Sequence, residues 1–523
     1  MRMLVDREAS GKIDKYAQEE LGIPGLVLME RAALAVVDLV CEKADKYDLK
    51  RSAIIFCGNG NNGGDGVACA RILSDRNFLV TVIAIQSEKG FSKQTDTELS
   101  ILENMNFDVR LYPEEAMSGS VIDSFHINEY GFAIDALFGV GLSRDITGCY
   151  AEIVKAVNGS DVYKVACDIP SGINADNGQI MGVAVKADAT VTMGFDKAGL
   201  TVYPGAFHAG EKIIADIGFT PLSATECDDH LYAFDRDKDR DKLFPERREY
   251  SNKGTFGRVL VIAGSEDMHG AAYLSALAAY RTGAGLVKIF TVAENRIPLQ
   301  QLLPEALFTV YDDSPDNEIS KDLQNKIKQA LDWASVVVIG PGLGRSIRST
   351  SIVRKVLDLA QVPAIIDADA VNVFKESGAA FRENFIFTPH LLEMERLSGI
   401  LVSESRSDII KTARDFAEKT GSVIVLKDAR TVISGRYRKD EDFATTIVSD
   451  SGTNALAKGG SGDVLTGVIA GLVAQGEECF MAAAKGAYIH GLAGEEAEKE
   501  LGSGGLLARD IANAIPAVMR QDG

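Results

Sequence analysis

The stretch Lys458-Gly459-Gly460-Ser461-Gly462-Asp463 holds the residue types that point most directly to chemistry. Its glycines leave backbone N–H groups uncovered, and Val464, Val468, Ile469 and Leu472 follow at helical spacing. A glycine loop that opens a helix attracts anions such as phosphate. Asp463 sits among those donors. A carboxylate repels the phosphate itself, so its use is to take a proton from a hydroxyl beside it. The combination points to phosphoryl transfer to an alcohol, or to elimination of one. The competing reading is a glycine-rich turn with an N-capping aspartate.

A second constellation lies near the start of the chain. Ala53-Ile54-Ile55-Phe56 reads as a short buried strand that runs into Gly58 to Gly66, with a helix expected from about Val67 to Arg76. Strand, glycine loop and helix form the phosphate-binding start of a doubly wound sheet. Gly58, Gly60 and Gly63 fit G-x-G-x-x-G, but the next strand, Phe78 to Ile85, ends in Gln86-Ser87. A dinucleotide-binding Rossmann unit places an acid there. The loop's three asparagines suit polar recognition or oxygen coordination of a cation. Two further strands end in Asp135 to Arg144 and in Asp168 to Asp176. Ligands of open α/β sheets bind at carboxyl ends of strands, so these loops predict one shared site, with Arg144 a fixed cation for a phosphorylated ligand. Helix or turn capping is the alternative for each aspartate.

The second half repeats strand, loop and helix. Strands at Arg258 to Ala263, Val336 to Ile339, Ala364 to Ile366, Phe385 to Phe387 and Ser422 to Leu426 each end in a polar or glycine-rich loop. Those loops carry Gly264-Ser265, Gly340 to Gly344, Asp367-Ala368-Asp369, Thr388-Pro389-His390 and Lys427 to Thr431. Asp367 and Asp369 read either as caps or as groups that arrange a magnesium-bound phosphate. His390 reads as a turn residue or a ligand contact, and Lys427 as a surface lysine or a nucleotide contact. None of the six histidines lies at HxxH or HExxH spacing, which argues against a histidine-built metal site.

These elements need a large scaffold. At 523 residues the chain exceeds what one core usually serves, and its 46% hydrophobic and 25% charged content is that of a globular protein. The net charge of −20 argues against a general binder of nucleic acid or anionic membrane. No apolar run reaches the length of a membrane span, and the first residues do not read as a signal peptide. Seven cysteines without CxxC pairs fit a reducing cytoplasm. Residues 226–249 are dense in both signs of charge and read as a solvated linker, or as an exposed helix laced with ion pairs. The expected architecture is therefore α/β throughout: a Rossmann-like domain at 1–220, a charged linker at 221–245 and a second α/β domain at 246–523.

Leu28-Met29-Glu30-Arg31-Ala32, Gly58 to Gly66, Gly139 to Arg144 and Asp168 to Gly172 together resemble the NAD(P)H-hydrate epimerase domain over about residues 1–220. The resemblance implies that Asn61, Asn62, Gly63, Gly64 and Asp65 face the hydrated dinucleotide. So would Gly139, Val140, Gly141, Leu142, Ser143, Arg144, Asp145 and Asp168. It further implies potassium held by Asn62, Asp135 and Ser171, with Asp168 as the acid/base candidate for inverting the hydroxylated carbon.

Lys253-Gly254-Thr255-Phe256-Gly257, Gly340 to Gly344, Asp367 to Asp369, Thr388 to His390 and Gly459 to Gly467 resemble the NAD(P)H-hydrate dehydratase domain, which is ribokinase-like. The resemblance implies hydrate contacts at Ala271, Gly342, Gly344, His390 and Asp463. It implies nucleotide contacts at Lys427, Asp428, Ala429, Arg430, Thr431 and Gly462, with ADP as co-substrate and magnesium beside it. The family usually has glycine after the lysine, where this chain has Asp428. A carboxylate there would repel phosphate, so Asp428 is expected to point away.

The expected protein is thus a bifunctional metabolite-repair enzyme, an isomerase and a lyase. It would epimerise the hydrates NADHX and NADPHX and dehydrate the S form with ADP, giving AMP and phosphate. Its partners would be small molecules, and a homo-oligomer is compatible with the sequence. The alternatives are a ribokinase-like kinase of a small alcohol fused to a nucleotide-binding domain, and a dinucleotide-sensing module.

Overall fold

The structure is a computed structural model that describes residues 1–107, 109–220, 230–247, 249–312, 319–437 and 443–520. It divides into a unit of Met3–Leu231 and a unit of Met1–Arg2 with Tyr232–Gly523.

In the first unit seven strands lie in the order Val109–Pro113, Leu79–Gln86, Ser52–Cys57, Phe132–Ala136, Tyr163–Cys167, Ala189–Met193 and Glu211–Ala215. All neighbours are parallel. The central strand alternates its side chains between two cores: Ile55 and Cys57 join one, Ile54 and Phe56 the other. Apolar residues on both faces are what a parallel sheet covered by helices requires. Chain order reverses between Ser52–Cys57 and Phe132–Ala136, which opens a crevice at their carboxyl ends.

The helix after the first of these strands begins at Asn61, six residues earlier than its apolar pattern predicts. Gly63 and Gly64 therefore stand in its first turns. A side chain at Gly63 would run into the Gly58 carbonyl oxygen, and one at Gly64 would meet Met29. These glycines serve close packing, which periodicity does not register.

In the second unit seven parallel strands run Leu307–Tyr311, Leu286–Val292, Arg258–Ile262, Val336–Ile339, Ala364–Ile366, Phe385–Phe387 and Val423–Leu426. The antiparallel pair Thr431–Gly435 and Thr445–Ser449 continues the sheet. Order again reverses at its middle, between Arg258–Ile262 and Val336–Ile339. Helix Ser461–Ala474 is apolar almost all round and packs on His269–Arg281. The contact needs glycine: a Cβ at Gly471 would lie 2.7 Å from the Thr282 Cβ, and one at Gly467 would meet the Ser275 carbonyl oxygen.

Part of the expected linker is core. Residues 221–229 lie outside the described residues. After them, Phe234, Leu243 and Phe244 are buried in the second unit, and the Phe234 ring stands 4.8 Å from Tyr488. The charge run between these apolar residues folds into short turns. Asp239 receives the N-terminal ammonium at 2.7 Å, and Arg236 pairs with Glu495 at 2.9 Å. Charge density alone hid the three anchoring side chains.

Candidate active sites

In the first unit a cleft of about 540 Å³ opens at the reversal point. Asn61, Asn62, Asp65, Gly139, Val140, Gly141, Leu142, Ser143, Arg144 and Asp168 all line it. Gly63, Gly64 and Asp145 do not line it. The two glycines are packed inside the helix, and exposed Asp145 lies beside Gly182. Helix Asn61–Asp75 points its N-terminus at this space, which favours an anionic ligand.

Asp168 follows the strand Tyr163–Cys167 in a left-handed conformation, φ 63°. Its Oδ1 accepts hydrogen bonds from Lys197 Nζ at 2.6 Å, Met193 N at 3.0 Å and Thr192 Oγ1 at 3.4 Å. Asp65 stands nearby. Burial, with the charges of Asp168, Asp14 and Glu98, pushes its carboxyl well above the usual range against the pull of Lys197.

Asp135 and Ser171 meet below the cleft. Ser171 donates to Asp135 through both Oγ, at 2.6 Å, and N, at 2.7 Å. Burial pushes the Asp135 carboxyl up to about 6 although these bonds oppose it. Asn62 has both side-chain polar atoms buried without a partner among the described residues. Unpaired buried amides are costly, so an uncompensated one marks a place for a ligand or ion.

The site of the second unit gathers at strand ends beside the Gly-Ser-Gly-Asp loop. Ser275 Oγ donates to the Asp463 carbonyl at 2.9 Å, which ties the loop to the neighbouring helix. Burial, with the charge of Asp367, raises the Asp463 carboxyl to about 7 against Lys427. Lys427 Nζ donates to Asp367 Oδ1 at 3.0 Å and lies 3.3 Å from where a Cβ of Gly462 would stand. Burial works against the Lys427 charge, but Asp367, Glu393 and Asp463 outweigh it and its pKa is raised. Thus Lys427, Asp367, Gly462 and Asp463 form one cluster, as sequence placed them at converging loops.

Other predicted contacts are partly engaged. His390 caps helix Leu391–Ser398: its Nδ1 accepts from Leu392 N at 3.1 Å and Glu393 N at 3.3 Å, while half its side chain stays exposed. Gly342 packs on Ala271, whose Cβ would lie 2.7 Å from an added Cβ, and Gly344 N donates to Asp369 Oδ2 at 2.9 Å. Ala368, between the two aspartates, has φ 48° and ψ −120°. Such conformations cost about 1–3 kcal/mol and cluster at functional sites. Asp428 lies 4.0 Å from Arg406, and exposed Ala429 follows it. Arg430 donates to the Asp450 carbonyl, and Thr431 starts the hairpin strand. Among the described residues no group of three or more His, Cys, Asp or Glu is arranged to hold a metal, and no helix is long and apolar enough to cross a membrane.

Sequence reasoning missed Lys197 and His490. Lys197 sits beside Asp196 in the otherwise uncharged run Val191 to Leu200, and a pair of charges inside a buried run was the available signal. His490 is buried on a long helix with Nε2 3.1 Å from Ser461 Oγ, and burial lowers its pKa to about 4. Nothing in its surroundings in sequence marks it.

Comparison with known proteins matches both halves. Residues 259–517 match the family model described as NAD(P)H-hydrate dehydratase, and residues 25–199 the one described as YjeF-related protein N-terminus. The bifunctional NAD(P)H-hydrate repair enzyme Nnr of Moorella thermoacetica is 34% identical, over 99% of this chain and 96% of that protein. Its namesake in Coxiella burnetii is 35% identical, over 98% of each. A Bacillus subtilis ADP/ATP-dependent NAD(P)H-hydrate dehydratase, co-crystallised with ATP and Mg²⁺, is 32% identical over 53% of this chain and 95% of that one, with a TM-score of 0.44. With two acid-bearing sites in its two units and relatives matched along its whole length, the chain belongs to the family of bifunctional NAD(P)H-hydrate repair enzymes.

Proposed function

We propose that the first unit interconverts the R and S hydrates of NADH and NADPH, and that the second dehydrates the S form with ADP, giving AMP and phosphate. The observation that carries this reading is Asp463: a carboxyl raised to about 7, at the N-terminus of a glycine-led helix, beside Lys427 and Asp367. A base whose pKa lies near the working pH is what transfer to a poorly nucleophilic hydroxyl needs.

In the second site the backbone donors of Gly459 to Gly462 and the Lys427 ammonium would hold the transferred phosphate. Asp463 takes the proton of the attacking hydroxyl. Once phosphorylated, that oxygen leaves as phosphate, and loss of a proton from the neighbouring ring carbon restores the double bond of the reduced ring. Magnesium would come with the nucleotide, because it is usually held by phosphates and one or two carboxylates rather than by a protein cage. Asp367 and Asp369 are the carboxylates at hand. Gly342, Gly344, Ala271 and half-exposed His390 would shape the hydrate pocket. Lys427, Gly462 and the turn Asp428 to Thr431 would take the nucleotide, with the Asp428 carboxylate drawn toward Arg406 and off the phosphates.

In the first site the helix N-terminus and Arg144 would receive the dinucleotide's phosphates, and Asp168 would move the proton. Potassium suits this donor set: the orphaned amide of Asn62 with the Asp135 carboxylate and Ser171 hydroxyl supplies the hard oxygen ligands such an ion takes. The ion would order the loop; the acid–base work belongs to the carboxylates.

The deciding experiment gives the protein an epimer mixture of hydrate with ADP or ATP. Recovery of reduced-nicotinamide absorbance from both epimers with release of phosphate is expected. A stable phosphate ester would make the protein a kinase, and no turnover would make it a binding module.

A further inference from the structure

Lys197 is 3% exposed yet lines the first cleft. It donates to Asp168 Oδ1 at 2.6 Å and to the Met193 carbonyl at 2.9 Å. With Met193 N and Thr192 Oγ1 it fills Oδ1 completely, while Oδ2 has no donor among the described residues. One oxygen is fixed and the other is left for whatever occupies the cleft. Asp65, on a different element, lines the same space and accepts no hydrogen bond among the described residues.

Resting on the epimerase reading above, we propose that Lys197 is a positioning residue for inversion, pinning Asp168 so that its free oxygen acts as the base while Asp65 is the partner acid. Two carboxyl groups in contrasting surroundings divide acid and base roles in this way. Asp168 is ion-paired to a buried ammonium. Burial, with its acidic neighbours Asp168, Asp14 and Glu98, raises the Asp65 carboxyl and so favours its protonated form.

The chemistry balances. Hydration of the ring's enamine puts the hydroxyl on the carbon next to the ring nitrogen. Asp65 gives its proton to that hydroxyl, the C–O bond breaks, and the bonding pair leaves with water. The nitrogen lone pair forms the C=N bond. Water then adds to the opposite face and gives its proton to Asp168. Solvent returns a proton to Asp65 and removes one from Asp168, so nothing is consumed and the ring is neither oxidised nor reduced.

The test follows conversion of R to S hydrate without nucleotide, in ¹⁸O-labelled water, above the uncatalysed rate. The parent protein should place one solvent oxygen in each inverted product. Lys197→Met should lower kcat about 10²-fold with KM changed only a few-fold, and Lys197→Arg should recover most of that loss. Asp65→Asn and Asp168→Asn should each lose kcat by about 10²–10⁴-fold. Dehydration of S hydrate with ADP should stay at the parental rate in every variant, which reports that the chain is folded. A loss confined to KM, an undiminished kcat in Lys197→Met, or a product that keeps its original oxygen overturns the inference. A parent protein that does not interconvert the epimers overturns the epimerase reading itself, and is seen before any variant is made.

Discussion

Replacing Asp463 by Asn keeps the side chain's shape and removes its basic oxygen. The carboxyl is raised to about 7 by burial and by Asp367, with Lys427 opposing. A base with that pKa is about 9% ionised at pH 6 and about 91% at pH 8, so the parental dehydration rate should climb roughly tenfold between them. Loss of a general base costs about 10²–10⁴-fold, or about 3–5 kcal/mol of barrier. Stability should move the other way. A carboxyl raised from 3.8 to about 7 contributes stability that is complete below 3.8 and gone above about 7. The shift is about three pKa units, so relief of ionisation by the neutral amide is worth at most about 4 kcal/mol at pH 8. Asp463→Asn should therefore melt no lower than the parent at pH 8 while phosphate release collapses. The assay pairs phosphate release from S hydrate and ADP, between pH 6 and 8, with R-to-S conversion on the same preparation. Near-normal phosphate release, or a parental profile flat across that range, would refute the reasoning. Equal loss of both activities would mean misfolding or one shared site.

Further outcomes are expected from other residues. Phe234→Ala should destabilise the second unit by about 3–5 kcal/mol, read by urea denaturation, because it strips a buried ring from Tyr488. For the same reason a fragment of 246–523 should melt below one of 230–523; equal melting would contradict the packing. Asp135→Ala should weaken epimerisation and its response to potassium chloride together, and full activity with an unchanged response would remove Asp135 from the ion site. Lys427→Met should cost about 3–5 kcal/mol by leaving Asp367, 2% exposed, without its cation. Adding Asp367→Asn should restore stability but not ADP affinity measured by calorimetry.

The strands were the most legible part of the chain, because runs such as Val336–Ile339 and Ser52–Cys57 are apolar on both faces and end in glycine or aspartate. Loops at strand ends then converged on two sites by topology alone. What stayed hidden depends on partners distant in sequence. The helix at Asn61 starts early because its glycines pack on Gly58 and Met29. Lys197 matters through Asp168, 29 residues away. His490 matters through Ser461, also 29 residues away. The charged stretch misled because eight consecutive charged residues outweigh two flanking phenylalanines in any composition count, whereas burial weighs the rings.

The glycine contact between Ser461–Ala474 and His269–Arg281 has a consequence for redesign. One helix begins at the phosphate loop, the other carries Ala271 in its first turn, and their close approach exists only because Gly467 and Gly471 have no side chain to hold them apart. The two therefore behave as a cassette. Transplanting the loop into another scaffold without the second helix would carry the motif but lose its aim. Altering substrate preference should proceed at the start of the second helix, Met268 to Gly270, where an added Cβ at Gly270 meets nothing within 4 Å, and not at Gly342, where one would collide with Ala271.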